Sequence, residues 1–346
     1  MSAPSRRPSD PLGDQPAPTH GDLKPDYAHR ARSERVARVL PFFKANYVEH
    51  GPQTLVVEQL LTYLASMQPL LGGPIDGRRL SEHSNAGKSR MIEHLVATAA
   101  LRRAAAGLPP NPYQIVVLEL DKTTSVSAFY RRILLQLGDD HWDSPAKLDE
   151  LEERVQHLSR KLEVEGLVCD EVQHLDRKTT DARQVTDRFK TFLNRGVLPL
   201  ILVGDEDSEV FFNKNPKFAS RLGTPLTLKP LDVRNNEEDR VHFLRFCKRL
   251  DQSMAEAGIV DAVARLDGPG IRTQLAVASG GHIGRVCRVV CEATLHALWR
   301  GSPVVERHDL SVATRQFAMK LNWVMHDPFS IVPGASSENS TGARIG

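Results

Sequence analysis

Gly87-Lys88-Ser89 stands where a polar segment, Ser81-Glu-His-Ser-Asn-Ala86, gives way to a helix-forming run through Met91, Ile92 and Leu95. These residue types at such a junction can hold a nucleoside triphosphate. Backbone N–H groups across Ser84, Asn85, Ala86 and Gly87 and the first helical turn, which includes Arg90, would wrap the phosphates. The Lys88 ammonium would reach the β- and γ-phosphates, and the Ser89 hydroxyl would ligate Mg²⁺. One position departs from the phosphate-loop pattern: Glu82 stands where G-x-x-x-x-G-K-[ST] has its first glycine. The preceding Gly77-Arg-Arg-Leu-Ser81 is also too polar for a buried parallel strand. A carboxylate beside a triphosphate must turn away or meet a cation, for which Arg79 is at hand. A plain Ser-Asn-Ala-Gly turn capping a helix competes for the same residues.

A second site-forming pair is Asp170-Glu171, which ends the apolar stretch Gly166-Leu-Val-Cys169 about eighty residues after Lys88. In nucleotide hydrolases an aspartate so placed holds Mg²⁺ through water, and the glutamate polarises the attacking water. An acidic strand end that caps a helix is the alternative. Together with Lys88 across an alternating strand–helix pattern, the pair points to ATP hydrolysis. Asp205 follows the next apolar strand, where a polar residue often orients the water; a loop aspartate is the competing reading. Arg221, just before the last expected strand, could act as an arginine finger on a neighbouring subunit's γ-phosphate, or be a surface arginine. Arg285, at the start of a later helix, could reach back to the nucleotide, or be an ion-paired arginine.

The elements that must position these residues follow from periodicity. Residues 31–71 read as helical. Strands are predicted at Gln114–Leu120, Gly166–Asp170, Leu198–Gly204 and Pro225–Leu231, separated by helices after Lys88, after Ser125, over Leu148–Val164 and over Asp187–Asn194. That alternation implies a mostly parallel sheet covered by helices on both faces. Beyond Pro230 the pattern is helical only: Arg240–Met254, Ile259–Leu266, Ile271–Ser279, Ile283–Trp299 and His308–Trp323. The expected organisation is a disordered arm (1–30), a helical segment (31–76), a nucleotide-binding core (77–231), a helical lid (232–326) and a disordered tail (327–346). A net charge of +2 over 346 residues neither demands nor excludes nucleic acid, so any basic surface must be local. The four cysteines include no C-x-x-C pair and read as reduced core residues. No apolar run suggests a membrane span and the N-terminus lacks the apolar centre of a signal peptide, so a cytoplasmic protein is expected.

The order Ser-Asn-Ala-Gly-Lys-Ser, Leu-Val-Cys-Asp-Glu-Val-Gln-His-Leu, Pro-Leu-Ile-Leu-Val-Gly, Ser-Arg-Leu and Gly-Gly-His-Ile-Gly-Arg resembles the AAA+ ATPases of transposons, the TniB/TnsC type, with MuB more distantly similar. The likeness runs over about residues 31–325. Asp-Glu-Val-Gln-His-Leu and Gly-Gly-His-Ile-Gly-Arg are its more specific parts. It implies an α/β AAA+ P-loop fold with a C-terminal helical lid, and slow ATP hydrolysis with Mg²⁺. It also implies assembly as a ring or helical filament on duplex DNA, with a transposase and a TniQ-type target-selection protein as partners. In relatives the loop after the second core strand grips DNA. Here that loop holds Lys122, Thr123 and Thr124, with Arg131 and Arg132 nearby; a solvated loop capping a helix is the alternative. Lys214, Lys217 and Arg183 are looser candidates. Two other readings remain: a nucleotide-gated scaffold with little hydrolysis, favoured by Glu82, and a signalling or secretion P-loop ATPase without DNA function.

Overall fold

A computed structural model describes residues 27–83, 85–121, 124–175 and 180–330. The expected arm up to residue 26 and the expected tail from residue 331 lie outside them. The chain opens with α1 (Tyr27–Ala45) and α2 (Gly51–Met67). The single helical stretch expected over 31–71 is thus broken, between Ala45 and Gly51, where Pro52 supplies a fresh helix start.

Four parallel strands follow, β1 (Arg78–Ser81), β2 (Ile115–Glu119), β3 (Gly166–Asp170) and β4 (Leu200–Gly204), in the order β1-β4-β3-β2. The connecting helices are α3 (Lys88–Ala105), α4 (Val126–Gln136), α5 (Leu148–Lys161), α6 (Thr180–Asn194), α7 (Asp207–Lys214) and α8 (Pro216–Ala219). Strand alternation divides the core into two layers. Val168, Ile201 and Val203 pack with Leu60, Leu64, Ile92 and Leu95 of α2 and α3. Leu167, Cys169, Leu200 and Leu202 face the opposite way, against Phe129, Ile133, Phe189 and Phe192 of α4 and α6. Helix starts follow the local chemistry: the Ser125 hydroxyl accepts the Ala128 N–H at 3.2 Å and fixes the first turn of α4. Helices α7 and α8 have no counterpart in the sequence reading; they are one or two turns long, too short for periodicity to declare.

Two strand expectations change. The polar Arg78–Ser81 does form β1, because its arginines lie along apolar rings rather than in a dry core. The Arg78 guanidinium sits 5.1 Å from the Tyr63 ring centre and that of Arg79 4.8 Å from Phe212, with Glu209 at 3.3 Å from Arg79. Leu80, which follows them, is fully buried. The expected strand Pro225–Leu231 does not form. It makes one bridge to β1, Leu80 beside Leu226, with Leu226 N–H donating to Arg79 O at 2.9 Å. Pro225 and Pro230 have no N–H to give, and the Leu228 N–H is taken by the Glu82 carboxylate.

The lid consists of α9 (Glu237–Glu256), α10 (Pro269–Ser279), α11 (Ile283–Trp299) and α12 (Arg307–Ala313). Ile259–Leu266 is not the expected helix: the buried Asp251 carboxylate captures the Ala264 and Leu266 N–H groups at 2.8 and 3.0 Å. The helix expected over His308–Trp323 gives way after α12 to a π-turn, Thr314–Ala318. Val39 of α1 is buried in the lid cluster with Phe243 and Val289, and Phe42 and Phe43 pack at its margin. Residues 327–330 continue that body: Phe329 is buried, and Asp327 accepts the Phe329 N–H at 2.9 Å and the Ser311 hydroxyl. The cysteines are free. No helix among the described residues is long and apolar enough to cross a membrane.

Candidate nucleotide site

The carboxyl ends of β1, β3 and β4 open on one edge of the sheet, the end where parallel α/β sheets bind ligands. After β1 the chain enters the phosphate loop. Asn85 (φ 61°) and Gly87 (φ 100°) both take left-handed backbone conformations, which turn the loop into the first residue of α3, Lys88. Gln53 of α2, itself buried, braces the loop by donating to the Gly87 carbonyl at 3.2 Å. Lys88 is buried, and its ammonium donates to the carbonyls of Glu82 (2.7 Å) and His83 (3.1 Å). Burial lowers its pKa, while Asp205, Asp170, Glu171 and Glu82 oppose that in decreasing order. Lys88 is therefore the cation on which the charges of three strand ends act, while its direct partners are backbone carbonyls. Glu82 does not meet Arg79. Its carboxylate turns from the loop to the Leu228 N–H, and burial raises its pKa.

Asp170 ends β3, and its Oδ1 accepts the Glu171 N–H at 2.8 Å. Burial raises its pKa, and Glu171 adds to the rise, while Lys88 counters it. Glu171 adopts a left-handed φ of 61°, a conformation a glutamate holds only under constraint. That constraint has a visible source in Gln173. Its amide nitrogen donates to Glu171 Oε2, and its amide oxygen accepts the Asp205 N–H at 3.2 Å. Gln173 thus ties the carboxylate after β3 to the backbone after β4. The Asp205 carboxylate caps the turn into α7 by accepting the Asp207 N–H at 3.0 Å.

The lid closes the site from above. A Cβ on Gly284, near the start of α11, would lie 2.2 Å from Asn85 O and 3.0 Å from Gly87 N, so the helix meets the loop backbone to backbone. The starts of α3 and α11 therefore converge on one loop, and two positive helix ends favour an anion there. His282 stands edge-on to His83 at 5.1 Å. Burial, then Arg285 and His83, push its pKa from 6.5 to about 4. Between lid and core lies a slot of about 10 Å³, lined by His50, Pro52, Ala86, Leu228, Leu231 and Ile283 among others. That volume is about one water-sized sphere, so a purine enters only if the lid swings outward. Its walls mix apolar side chains with His50, Lys229 and His282. Arg285 lies 5.1 Å from the Trp323 ring, its Nε buried without a hydrogen-bond partner, and Glu206 is its electrostatic counterpart.

The profile of the family described as bacterial TniB protein matches residues 50–230, from the start of α2 through the phosphate loop, both acidic strand ends and the linker to the lid. The chain belongs to the TniB family. No curated protein matches it. Among solved structures it is similar to the Aeropyrum pernix ORC2 protein in its ADPNP-ADP complexes, at 16% identity and a TM-score of 0.56 over 81% of this chain and 71% of that one. It is also similar to the Aeropyrum pernix ORC1 protein in complex with DNA, at 16% identity and a TM-score of 0.55 over 80% and 68%. Cdc6p from Pyrobaculum aerophilum follows at 14% identity and 0.53 over 80% and 70%. These likenesses establish the fold, that of AAA+ ATPases.

In this TniB chain the remaining sequence candidates separate. Ser89 is exposed at the start of α3. Arg90 turns from the loop, pairing with Glu93 and donating to Phe43 O at 3.2 Å, and so ties α3 to α1. Arg221 lies at the opposite end of β1 from the phosphate loop, its carbonyl accepting the Gly77 N–H at 2.8 Å. The four residues of β1 put roughly 13 Å between the two ends. Ser84, Lys122 and Thr123 lie outside the described residues, as does the side chain of Arg183. Thr124 is buried and bonded to Asp121 at 3.0 and 3.1 Å. Arg132 pairs with Asp121 and donates to Glu119 O at 3.1 Å, and Arg131 donates to Trp142 O at 3.2 Å. Sequence reasoning missed Gln173 and the slot residues. Gln173 sits inside Asp-Glu-Val-Gln-His-Leu and could have been singled out; the slot residues come from four separated segments and carry no local signal.

Proposed function

We propose that this chain is an ATP-dependent, DNA-binding regulator of transposition, which assembles on duplex DNA with ATP and recruits or activates a transposase. The observation that carries the reading is Lys88, buried at the TniB-family phosphate loop within electrostatic reach of Asp170, Glu171 and Asp205. The donor set suits a nucleoside triphosphate: backbone N–H groups of the loop, an ammonium, two helix N-termini and a slot for a base. Ser89 and Asp170 would hold Mg²⁺. Among the described residues there is no cluster of three or more His, Cys, Asp or Glu side chains able to hold a metal unaided, which suits an ion that takes most of its ligands from phosphates and water. The bound ion would neutralise charge on the transferring phosphoryl group. Glu171 is the candidate to orient the attacking water, Asp205 and Arg285 to sense the γ-phosphate, and Arg221 to act on a neighbouring subunit's nucleotide. The nucleotide-bound ORC2 and DNA-bound ORC1 structures support this reading by likeness of fold.

DNA contact is assigned to the loop carrying Lys122, Thr123 and Thr124, with Arg131 and Arg132 beside it; a grip on phosphates would be independent of sequence. A TniQ-type protein is the further partner proposed. A nucleotide-gated scaffold with little hydrolysis is the second reading. It is favoured by the packing of Arg285 on Trp323 and of Glu171 on Gln173, which leaves both engaged within the chain. Electron microscopy with duplex DNA and a slowly hydrolysed ATP analogue tests the assembly. Rings or filaments enclosing DNA are expected from wild type and not from Lys88→Ala. ATP-driven assembly that survives in Lys88→Ala would remove Lys88 from its role.

A further inference from the structure

Glu82 replaces a glycine of the phosphate-loop pattern, yet it is buried and fully engaged. Its N–H donates to Gly204 O at 3.1 Å, which continues the β1–β4 pairing by one residue. Its carbonyl accepts the Lys88 ammonium. Its carboxylate accepts the Leu228 N–H, in the segment that fails to become a fifth strand. The backbone bridge from β1 to that segment stops at Leu226, and the side chain of Glu82 fastens it two residues further on.

The fastened segment matters for where it leads. Leu228 and Leu231 both line the slot between core and lid. Leu231 N–H then donates to Gly281 O at 3.0 Å, and a Cβ on Gly281 would lie 2.3 Å from Leu231 O, so linker and lid are in backbone contact. From Gly281 the chain passes through His282 to Gly284, which rests on Asn85 of the phosphate loop. These contacts form a closed circuit around the slot: phosphate loop, Glu82 carboxylate, Leu228, Leu231, Gly281, Gly284 and the loop again.

We infer that Glu82 is a positioning residue for the nucleotide base, acting through Leu228 to fix the wall of the slot and leaving the phosphate donors untouched. The inference rests on the nucleotide reading of this site. It explains how a carboxylate is tolerated in the loop: it points along the sheet edge and spends its charge on a backbone N–H. A hydrogen bond to a charged acceptor, lost and only partly relayed, is expected to weaken base-dependent affinity roughly tenfold.

The test compares ADP with inorganic tripolyphosphate, which shares the phosphates and lacks the base. Binding of both to the full chain would be measured by calorimetry for wild type, Glu82→Ala, Glu82→Asp and Glu82→Gln, with thermal midpoints recorded alongside. Glu82→Ala should lose about tenfold for ADP and less than about twofold for tripolyphosphate. Glu82→Gln, whose amide oxygen still accepts from Leu228, should recover ADP binding to within about threefold of wild type. Glu82→Asp retains the charge but falls short of Leu228, and should follow Glu82→Ala; it serves as the readout if the alanine variant does not fold. Equal losses for the two ligands, or no loss for either, would overturn the role of Glu82. Uptake of neither ligand by wild type would overturn the nucleotide reading, and the inference with it.

Discussion

Substituting Gly284 by alanine sets two well-known effects against each other, and the structure decides the sign. In a helix, Gly→Ala ordinarily stabilises by about 0.5–1 kcal/mol, because alanine has less backbone freedom to lose. At Gly284 the new Cβ would lie 2.2 Å from Asn85 O and 3.0 Å from Gly87 N. A relaxed carbon–oxygen contact is about 3.3 Å, so α11 and the loop must separate by about 1 Å. Both offending atoms are backbone, so no rotamer change relieves the contact. Overpacking of this kind costs about 1–3 kcal/mol, which exceeds the helix gain. Gly284→Ala should therefore be neutral to about 2 kcal/mol less stable, or hold its stability by lifting the lid from the loop. Either outcome loosens the slot, so nucleotide release should quicken by about tenfold, which corresponds to about 1.4 kcal/mol. Urea denaturation and stopped-flow release of a fluorescent ADP analogue measure the two quantities. A variant more stable by the full helix increment, with unchanged release, would show that α11 does not dock on the loop, and the contact circuit would fall with it.

Four further outcomes are expected. Gln173→Ala should lower kcat about tenfold by freeing Glu171 from its fixed orientation, with ATP affinity within about twofold; equal losses in both would make Gln173 merely structural. Glu171→Gln should leave nucleotide binding intact and prolong ATP-bound assemblies on DNA, read as dissociation after dilution; unchanged dissociation removes Glu171 from water activation. Arg221→Ala should cut turnover of the assembly on the order of 10³-fold while the monomer's nucleotide affinity holds; parallel loss of affinity would place Arg221 in its own subunit's site. The histidines at the lid seam give a pH dependence. Burial holds His50 and His282 to pKa values of about 4, against 6.5 when exposed. The unfolded chain therefore takes up protons first, and stability at the seam is retained above about pH 6.5 and lost as pH falls toward about 4. Denaturation midpoints across that range in wild type and a His50→Gln, His282→Gln double variant check it: the variant should show the flatter profile.

The parts of this fold legible in the sequence are those whose information is local. The strand after Ile115 and the one ending at Asp170 are runs of branched apolar residues, and the helix after Ser125 begins at a hydroxyl cap. The span Ile283–Trp299 was readable from apolar spacing after two glycines. What was not legible depends on distant partners. The Arg78–Ser81 strand relies on rings from α2 and α7 to shelter its arginines. The segment after Pro225 has strand composition, yet its pairing is interrupted by a side chain from a loop more than a hundred residues earlier. Likewise Ile259–Leu266 carries helical spacing, but a buried aspartate from α9 claims its amides. Of the site, the charged residues were readable because phosphate chemistry restricts their types, whereas the slot is made of ordinary apolar residues, Lys229 and two histidines that only tertiary structure assembles.

Charge accounts for why such a site should be coupled to assembly. Four carboxylates act on Lys88, and Glu82 is the one whose side chain reaches away from the strand ends, to the Leu228 N–H. The other three, on Asp170, Glu171 and Asp205, leave the pocket net negative before a nucleotide arrives. A triphosphate brought there adds several negative charges in a partly desolvated cleft, where like charges repel far more strongly than in water. One ammonium and two helix N-termini cannot balance that. On the proposed reading, Mg²⁺ held by Asp170 and Ser89 would supply part of the deficit, and Arg285 would supply more once released from Trp323. On the proposed reading the rest would come from a neighbouring subunit, since this chain's own Arg221 lies at the far end of β1. A neighbour's guanidinium entering at the γ-phosphate would be attracted by the same carboxylates that weaken nucleotide binding to the isolated chain. If the proposed function holds, the excess of acid at the strand ends would make ATP a signal for association, because the bound nucleotide would stay electrostatically incomplete until a second subunit met it.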